Sequence, residues 1–130
     1  MADNSSYFLS LLQFRSPEEY EYGLQSEKID VFSMGNIFYQ LLEGKEPFDE
    51  MRQLKHVDDE YIQNLVKEGN RPQLSDDIIN SDDPNILTIL KAMSMCHTQD
   101  WRERASARKV RDVLNMQWRR VVDSKYHQSW

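Results

Sequence analysis

The stretch Ile29-Asp30-Val31-Phe32-Ser33-Met34-Gly35-Asn36-Ile37-Phe38-Tyr39-Gln40-Leu41-Leu42 decides the architecture of this chain. On a helix turning about 100° per residue, Val31, Phe32, Met34, Ile37, Phe38, Tyr39, Leu41 and Leu42 cover most of the circumference. Only Ser33, Asn36 and Gln40 gather into a narrow polar stripe. A helix apolar on nearly every side is buried inside something, so this one, over about residues 26–43, is expected at the centre of a bundle. Gly44 suits its C-cap and Pro47 prevents its resumption. Asp30 falls off the polar stripe, on the face of Met34, Ile37 and Leu41. Two readings stand: a half-exposed first-turn acid that favours the helix dipole, or a buried carboxylate held by backbone N–H donors of another segment.

Outward from this helix, the remaining periodicity is also helical, and no strand pattern or internal repeat competes. A second helix is expected from about Asp58 to Glu68, with Tyr61, Ile62, Leu65 and Val66 as its apolar stripe and Gly69 after it. Asn70 to Asn80 reads as loop. A third helix starts near Pro84, a residue suited to a first helical position, with Ile86, Leu87, Leu90, Met93, Cys96 and His97 as its stripe. A fourth starts near Ser106 as N-cap; Ala107, Val110, Leu114 and Val121 form its stripe, with Val113 and Trp118 alongside. The tail from Asp123 to Trp130 is expected to fray. The fold class is mainly α, with helices packed around the central one.

Composition excludes several functions. The 130 residues carry a formal net charge of −6, so a global basic footprint for nucleic acid is absent. The pairs Asp76-Asp77 and Asp82-Asp83 read as solvated loop charges. With one cysteine, Cys96, no intrachain disulfide forms, and Cys96-His97 with two other scattered histidines gives no four-ligand metal spacing. The start Met1-Ala2-Asp3-Asn4 is acidic and the apolar cluster Tyr7 to Phe14 is short, which argues against a secretory signal. No run approaches the ~20 apolar residues of a membrane span. A cytoplasmic or nuclear location is expected, with no membrane partner.

Five motifs, in order, carry a resemblance. Phe14-Arg15-Ser16-Pro17-Glu18 looks like the Ala-Pro-Glu motif that closes a kinase activation segment. Asp30-Val31-Phe32-Ser33-Met34-Gly35 looks like Asp-x-Trp-Ser-x-Gly, with Phe32 for Trp. Leu42-Glu43-Gly44-Lys45-Glu46-Pro47-Phe48 matches Leu-x-Gly-x-x-Pro-Phe, and Val66 to Pro72 resembles the loop after the next helix. Cys96, Asp100 and Arg104-Ala105-Ser106 resemble Cys-x-x-x-Asp-x-x-x-Arg-Pro-Ser, with Ala105 for Pro. Together they resemble the C-terminal, helical lobe of the eukaryotic protein kinase catalytic domain. On this resemblance residues 14–122 form a partial kinase domain, 1–13 match it poorly and 123–130 are a tail.

The resemblance implies roles for Ser16, Pro17, Glu18, Asp30, Gly35 and Arg104 as structural motif residues, with no catalytic, cofactor-binding or metal-binding residue in the chain. Glu18 would pair with Arg104, whose planar fork meets a carboxylate bidentately; the alternative is two unrelated surface charges worth ~0–1 kcal/mol. Asp30 would accept hydrogen bonds from the backbone of a His-Arg-Asp loop, which this sequence does not contain. The family uses ATP and Mg²⁺. The Gly-rich phosphate cover, the strand Lys, the catalytic Asp, the metal-binding Asn and Asp-Phe-Gly that phosphoryl transfer needs have no counterpart here, since the glycines at 23, 35, 44 and 69 form no Gly-x-Gly-x-x-Gly. The chain is therefore expected to be inactive alone, either as a fragment whose partner is the remainder of a kinase domain or as a non-catalytic helical module that binds a protein. Leu11 stands where serine/threonine kinases carry Thr, so the acceptor hydroxyl stays open, and Ser5, Ser6, Tyr7 and Ser10 read as ordinary hydroxyls.

Overall fold

A computed structural model of the chain describes residues 15–21 and 26–128. Leu11, Phe14, the four hydroxyl residues named above and the last two positions of the tail lie outside the described residues. Among the described residues seven helices occur and no strand: α1 (Pro17–Glu21), α2 (Glu27–Glu43), α3 (Asp49–Leu54), α4 (Asp59–Lys67), α5 (Asp76–Ile79), α6 (Pro84–Cys96) and α7 (Ala107–Gln128).

The central helix α2 has the bounds its sequence announces. The Ser26 side chain accepts from the Lys28 amide at its start. At its end Gly44 adopts φ 71, and its N–H donates to the Gln40 carbonyl. That left-handed conformation costs glycine nothing and most other residues ~1 kcal/mol or more.

The apolar surround of α2 is divided between two packed clusters and one open side. Val31, with Met34 and Phe38, packs into a cluster with Ala92 and Cys96 of α6 and Val110 and Leu114 of α7. Phe32 packs into a second cluster with Phe48 and with Ile62 and Val66 of α4, bordered by Tyr20 of α1. The third side meets solvent: Ile37 is 50% and Leu41 69% exposed, and Asp30 on the same face is exposed. Helix α2 packs on α6, α6 on α7, and α1 against α4.

Several expectations change. The polar stripe of α2 does not face water along its length, because Asn36 is buried. Tyr61 and Leu87, placed on core stripes, are about half exposed; each lies at the margin of its helix's buried face. Two short helices, α3 and α5, fill segments read as loop or left unassigned; their four to six residues are too few to show a helical period. The tail does not fray at Asp123: α7 runs to Gln128, because residues 107–128 contain neither Gly nor Pro and extending a formed helix is favourable. Phe48, ahead of α3, holds φ 62, a conformation a bulky residue adopts only where burial of its ring compensates.

Candidate functional site

Among the described residues, α1, the start of α2 and the loop between α6 and α7 meet in a dense network of side-chain bonds. Ser16-Pro17-Glu18-Glu19 folds as a capped turn. Pro17 opens α1, and the Glu19 carboxylate accepts from both the Ser16 amide at 2.7 Å and the Ser16 hydroxyl at 2.9 Å. This is the glutamate half of a capping box, with the Glu19 amide bonded to the Ser16 carbonyl instead of its hydroxyl, and the Ser-x-x-Glu spacing is a signal in the sequence that the motif reading passed over. The cap fixes the turn so that Glu18, itself buried, points inward.

Arg104 arrives from a turn built on Asp100. The Asp100 carboxylate accepts from the Arg102 amide at 3.0 Å and the Arg102 Nε at 3.1 Å, while the Arg104 amide donates to the Asp100 carbonyl. Those Arg102 bonds hold the exposed Asp100 carboxyl below its usual range. The fully buried Arg104 guanidinium then meets Glu18 in a two-pronged pair, Nη1 to Oε2 at 2.9 Å and Nη2 to Oε1 at 3.0 Å. Its remaining N–H groups reach backbone: Nε to the Thr98 carbonyl at 2.9 Å, Nη1 to Lys28 at 2.7 Å and Nη2 to Gln99 at 3.3 Å. All five guanidinium donors are used. The Lys28 ammonium returns the bond by donating to the Arg104 carbonyl.

A second layer stands behind the pair. The guanidinium carbons of Arg104 and Arg71 lie 5.0 and 4.9 Å from the Phe32 ring centroid. Arg71 donates from Nε and Nη2 to the His97 carbonyl, at 3.1 and 2.7 Å, and from Nη2 to Gln99 at 2.5 Å. Burial, with Arg104 nearby, brings the Arg71 guanidinium down to about 10, still charged at neutral pH. Gln99 also donates to the Val66 and Lys67 carbonyls at the end of α4, where the Val66 carbonyl accepts from the Gly69 amide as well.

His97 closes the layer. Its Nε2 lies 2.9 Å from Asn36 Oδ1, and its ring centroid is 4.9 Å from that of Phe32. An Nε2–H tautomer donates to Asn36 and so satisfies the buried amide oxygen. Gly35 makes this approach possible: a Cβ there would sit 2.6 Å from His97 Cδ2 and 2.8 Å from Cys96 Cβ. Burial, reinforced by Arg71 and Arg104, holds the His97 imidazole down at about 3 against an ordinary 6.5. The neutral ring therefore contributes stability that is complete above about 6.5 and is lost as the pH falls toward 3. Unfolding takes up one proton at His97 across that window, so stability should fall by ~1.4 kcal/mol per pH unit from this group. Urea midpoints of the wild type and of His97→Gln, compared between pH 7 and pH 4, should converge as the pH drops; parallel curves would mean that His97 is not held neutral. Burial likewise pushes the Cys96 thiol up to about 11, which leaves it an unreactive core residue.

Of the six motif residues, the structure brings Ser16, Pro17, Glu18, Gly35 and Arg104 into one connected region. Asp30 stands apart, exposed in the first turn of α2, and among the described residues no donor is bonded to it. The motif reading missed Asn36 and Gln99, and it took in Arg71 within the Val66 to Pro72 loop without giving it a role. Asn36 sat on what looked like a solvent stripe, and Arg71 and Gln99 sit in loops where periodicity is silent.

The chain is similar to known proteins. The family model described as "Protein kinase domain" matches residues 3–119, starting well ahead of Phe14. Serine/threonine-protein kinase VIK of Arabidopsis thaliana is 31% identical over 90 residues, covering 62% of this chain and 20% of that protein. The leucine-rich repeat receptor-like serine/threonine/tyrosine-protein kinase SOBIR1 of the same plant is 29% identical over 118 residues, covering 85% of this chain and 18% of that protein. The chain thus spans about a fifth of the length of these relatives. With the match over 3–119 and the buried Glu18–Arg104 pair in view, the chain belongs to the protein kinase domain family.

Proposed function

We infer that these residues supply the substrate-side scaffold of a protein kinase domain and that they transfer no phosphate by themselves. The observation that carries the reading is the desolvated Glu18–Arg104 pair, which ties the Ser16-Pro17-Glu18 turn to the helical base. That turn stands at the end of the loop that a kinase presents to its protein substrate. The complete domain would move a phosphoryl group from ATP, with Mg²⁺, to a protein hydroxyl in the cytoplasm or nucleus.

The residues present do not fit the nucleotide and its metal. The sequence holds no Gly-x-Gly-x-x-Gly, His-Arg-Asp or Asp-Phe-Gly. Among the described residues no three His, Cys, Asp or Glu converge as a metal site. No described helix is long and apolar enough to cross a membrane. The purified chain should show no Mg-ATP-dependent change in melting temperature; a clear, saturable rise would overturn the inert reading.

A second reading, a stand-alone interaction module, is favoured by the open Asp30–Ile37–Leu41 face of α2, since an exposed apolar face marks an interface. Sequencing the transcript upstream of Met1 separates the two readings. An in-frame His-Arg-Asp and Asp-Phe-Gly would support the first, and a stop codon directly upstream the second.

A further inference from the structure

The last helix carries a feature that neither reading uses. Residues four apart on a helix form one ridge, and on α7 the ridge Val110, Leu114, Trp118, Val122, Tyr126 begins in the core and ends in water. Val110 is fully buried and Leu114 is packed against the first cluster. Trp118 is 66%, Val122 42% and Tyr126 62% exposed. The cause is geometric: α6 has 13 residues and α7 has 22, so the second half of α7 outruns its neighbour, and the ridge drifts about 40° per step away from it. An open apolar cleft lined by Ile89, Leu114, Trp118 and Val121 lies at the foot of the exposed stripe.

Charge decides what can cover it. Residues 107–128 hold Arg108, Lys109, Arg111, Arg119, Arg120 and Lys125 against Asp112 and Asp123 only, in a chain whose net charge is −6. At about 100° per residue, Arg108 and Arg111 fall within the Trp118–Val122–Tyr126 sector and Arg119 and Lys125 at its two edges, whereas the two aspartates lie outside it, beyond the Tyr126 edge. Arg111 is bonded to Asp112 at 3.1 Å, but this pair is exposed and weakly held. A second copy would bring like charges together along this sector, which is unfavourable. An extended anionic membrane would also face the acidic remainder of the chain. A discrete acidic groove meets the helix alone. It must accept an indole, an isopropyl group and a phenol in one line, and methionine side chains supply that adaptability.

We propose that the exposed Trp118–Val122–Tyr126 stripe of α7 docks into an acidic, methionine-lined groove of a partner protein. The helix-in-groove mode reads anchors at this spacing, and Trp118 is the anchor that dominates affinity. The test titrates the full 130-residue chain with calcium-loaded calmodulin, an acidic protein with such a groove. Parallel arms use phosphatidylserine-containing vesicles and sedimentation of the chain alone. A saturable complex is expected, weakened by about tenfold or more in Trp118→Ala and in the double charge reversal Arg111→Glu/Arg119→Glu. Met116→Ala, about 120° around α7 from the middle of the stripe, should leave it unchanged. Because Trp118 is mostly exposed, helical circular dichroism of Trp118→Ala should match the wild type, which separates docking from folding. Absence of a complex, a complex indifferent to Trp118→Ala, binding to vesicles alone, or self-association through Trp118 would each overturn the proposal.

Discussion

Replacing Arg104 with alanine should cost ~3–5 kcal/mol of folding stability, the range for breaking a buried ion pair by removing one partner. The magnitude follows from what is stranded. The Glu18 carboxylate, 5% exposed, would lose both of its guanidinium bonds, and the Lys28, Thr98 and Gln99 carbonyls would lose a donor each. Against a total stability of ~5–15 kcal/mol for a domain, such a loss leaves a substantial unfolded population. Arg104→Lys should recover little, since an ammonium offers three rotatable donors and no fork. Glu18→Leu combined with Arg104→Met should recover much of the loss, because an apolar pair needs no desolvated partner. Chemical unfolding of the three variants checks this ordering. A loss under ~1 kcal/mol for Arg104→Ala, the range of exposed pairs, would show that the pair is wet in solution.

Phe32→Ala should be comparably damaging, at ~3–5 kcal/mol, as for other buried Phe truncations. The ring is 1% exposed and fills the space between Phe48, Ile62 and Val66. It is also the apolar platform for two guanidinium groups and the His97 ring. Removing it leaves Arg71 and Arg104, both positive, facing a cavity that water enters readily. Cation–π contact adds ~0.5–1 kcal/mol per guanidinium, so Phe32→Leu, which keeps part of the apolar volume but not the ring, should fall between wild type and Phe32→Ala. Thermal melts of the two variants test this; a Phe32→Leu melt equal to the wild type would mean that the ring's electronic character contributes nothing.

Much of the fold was legible. The end of α2 was readable from Gly44, the start of α6 from Pro84 and that of α7 from Ser106, because capping chemistry is local; the Ser26 cap at the start of α2 went unread. The apolar surround of α2 was readable too, but not how it is shared among two clusters and water, since the period reports that a face is apolar and not what lies opposite. Asn36 shows the limit: a polar residue beside Ser33 and Gln40 looks solvated until His97, 61 positions away, arrives to pair with it. The Glu18–Arg104 pair, separated by 86 positions, was visible only through the family pattern and not through any property of either residue's neighbourhood in sequence. Arg71 and Gln99 act by bonding backbone carbonyls of distant segments, and nothing in their own surroundings announces that.

The saturation of Arg104 has a consequence for regulation. A guanidinium whose N–H groups are all engaged has none to lend to an anion arriving at the Ser16-Pro17-Glu18 turn. A phosphate added near that turn would have to recruit some other cation, or else pull Arg104 from its carbonyls and melt the very joint it meant to adjust. This corner of the molecule is thus a fixed hinge pin rather than a sensor, and any switching must be performed by parts that swing about it.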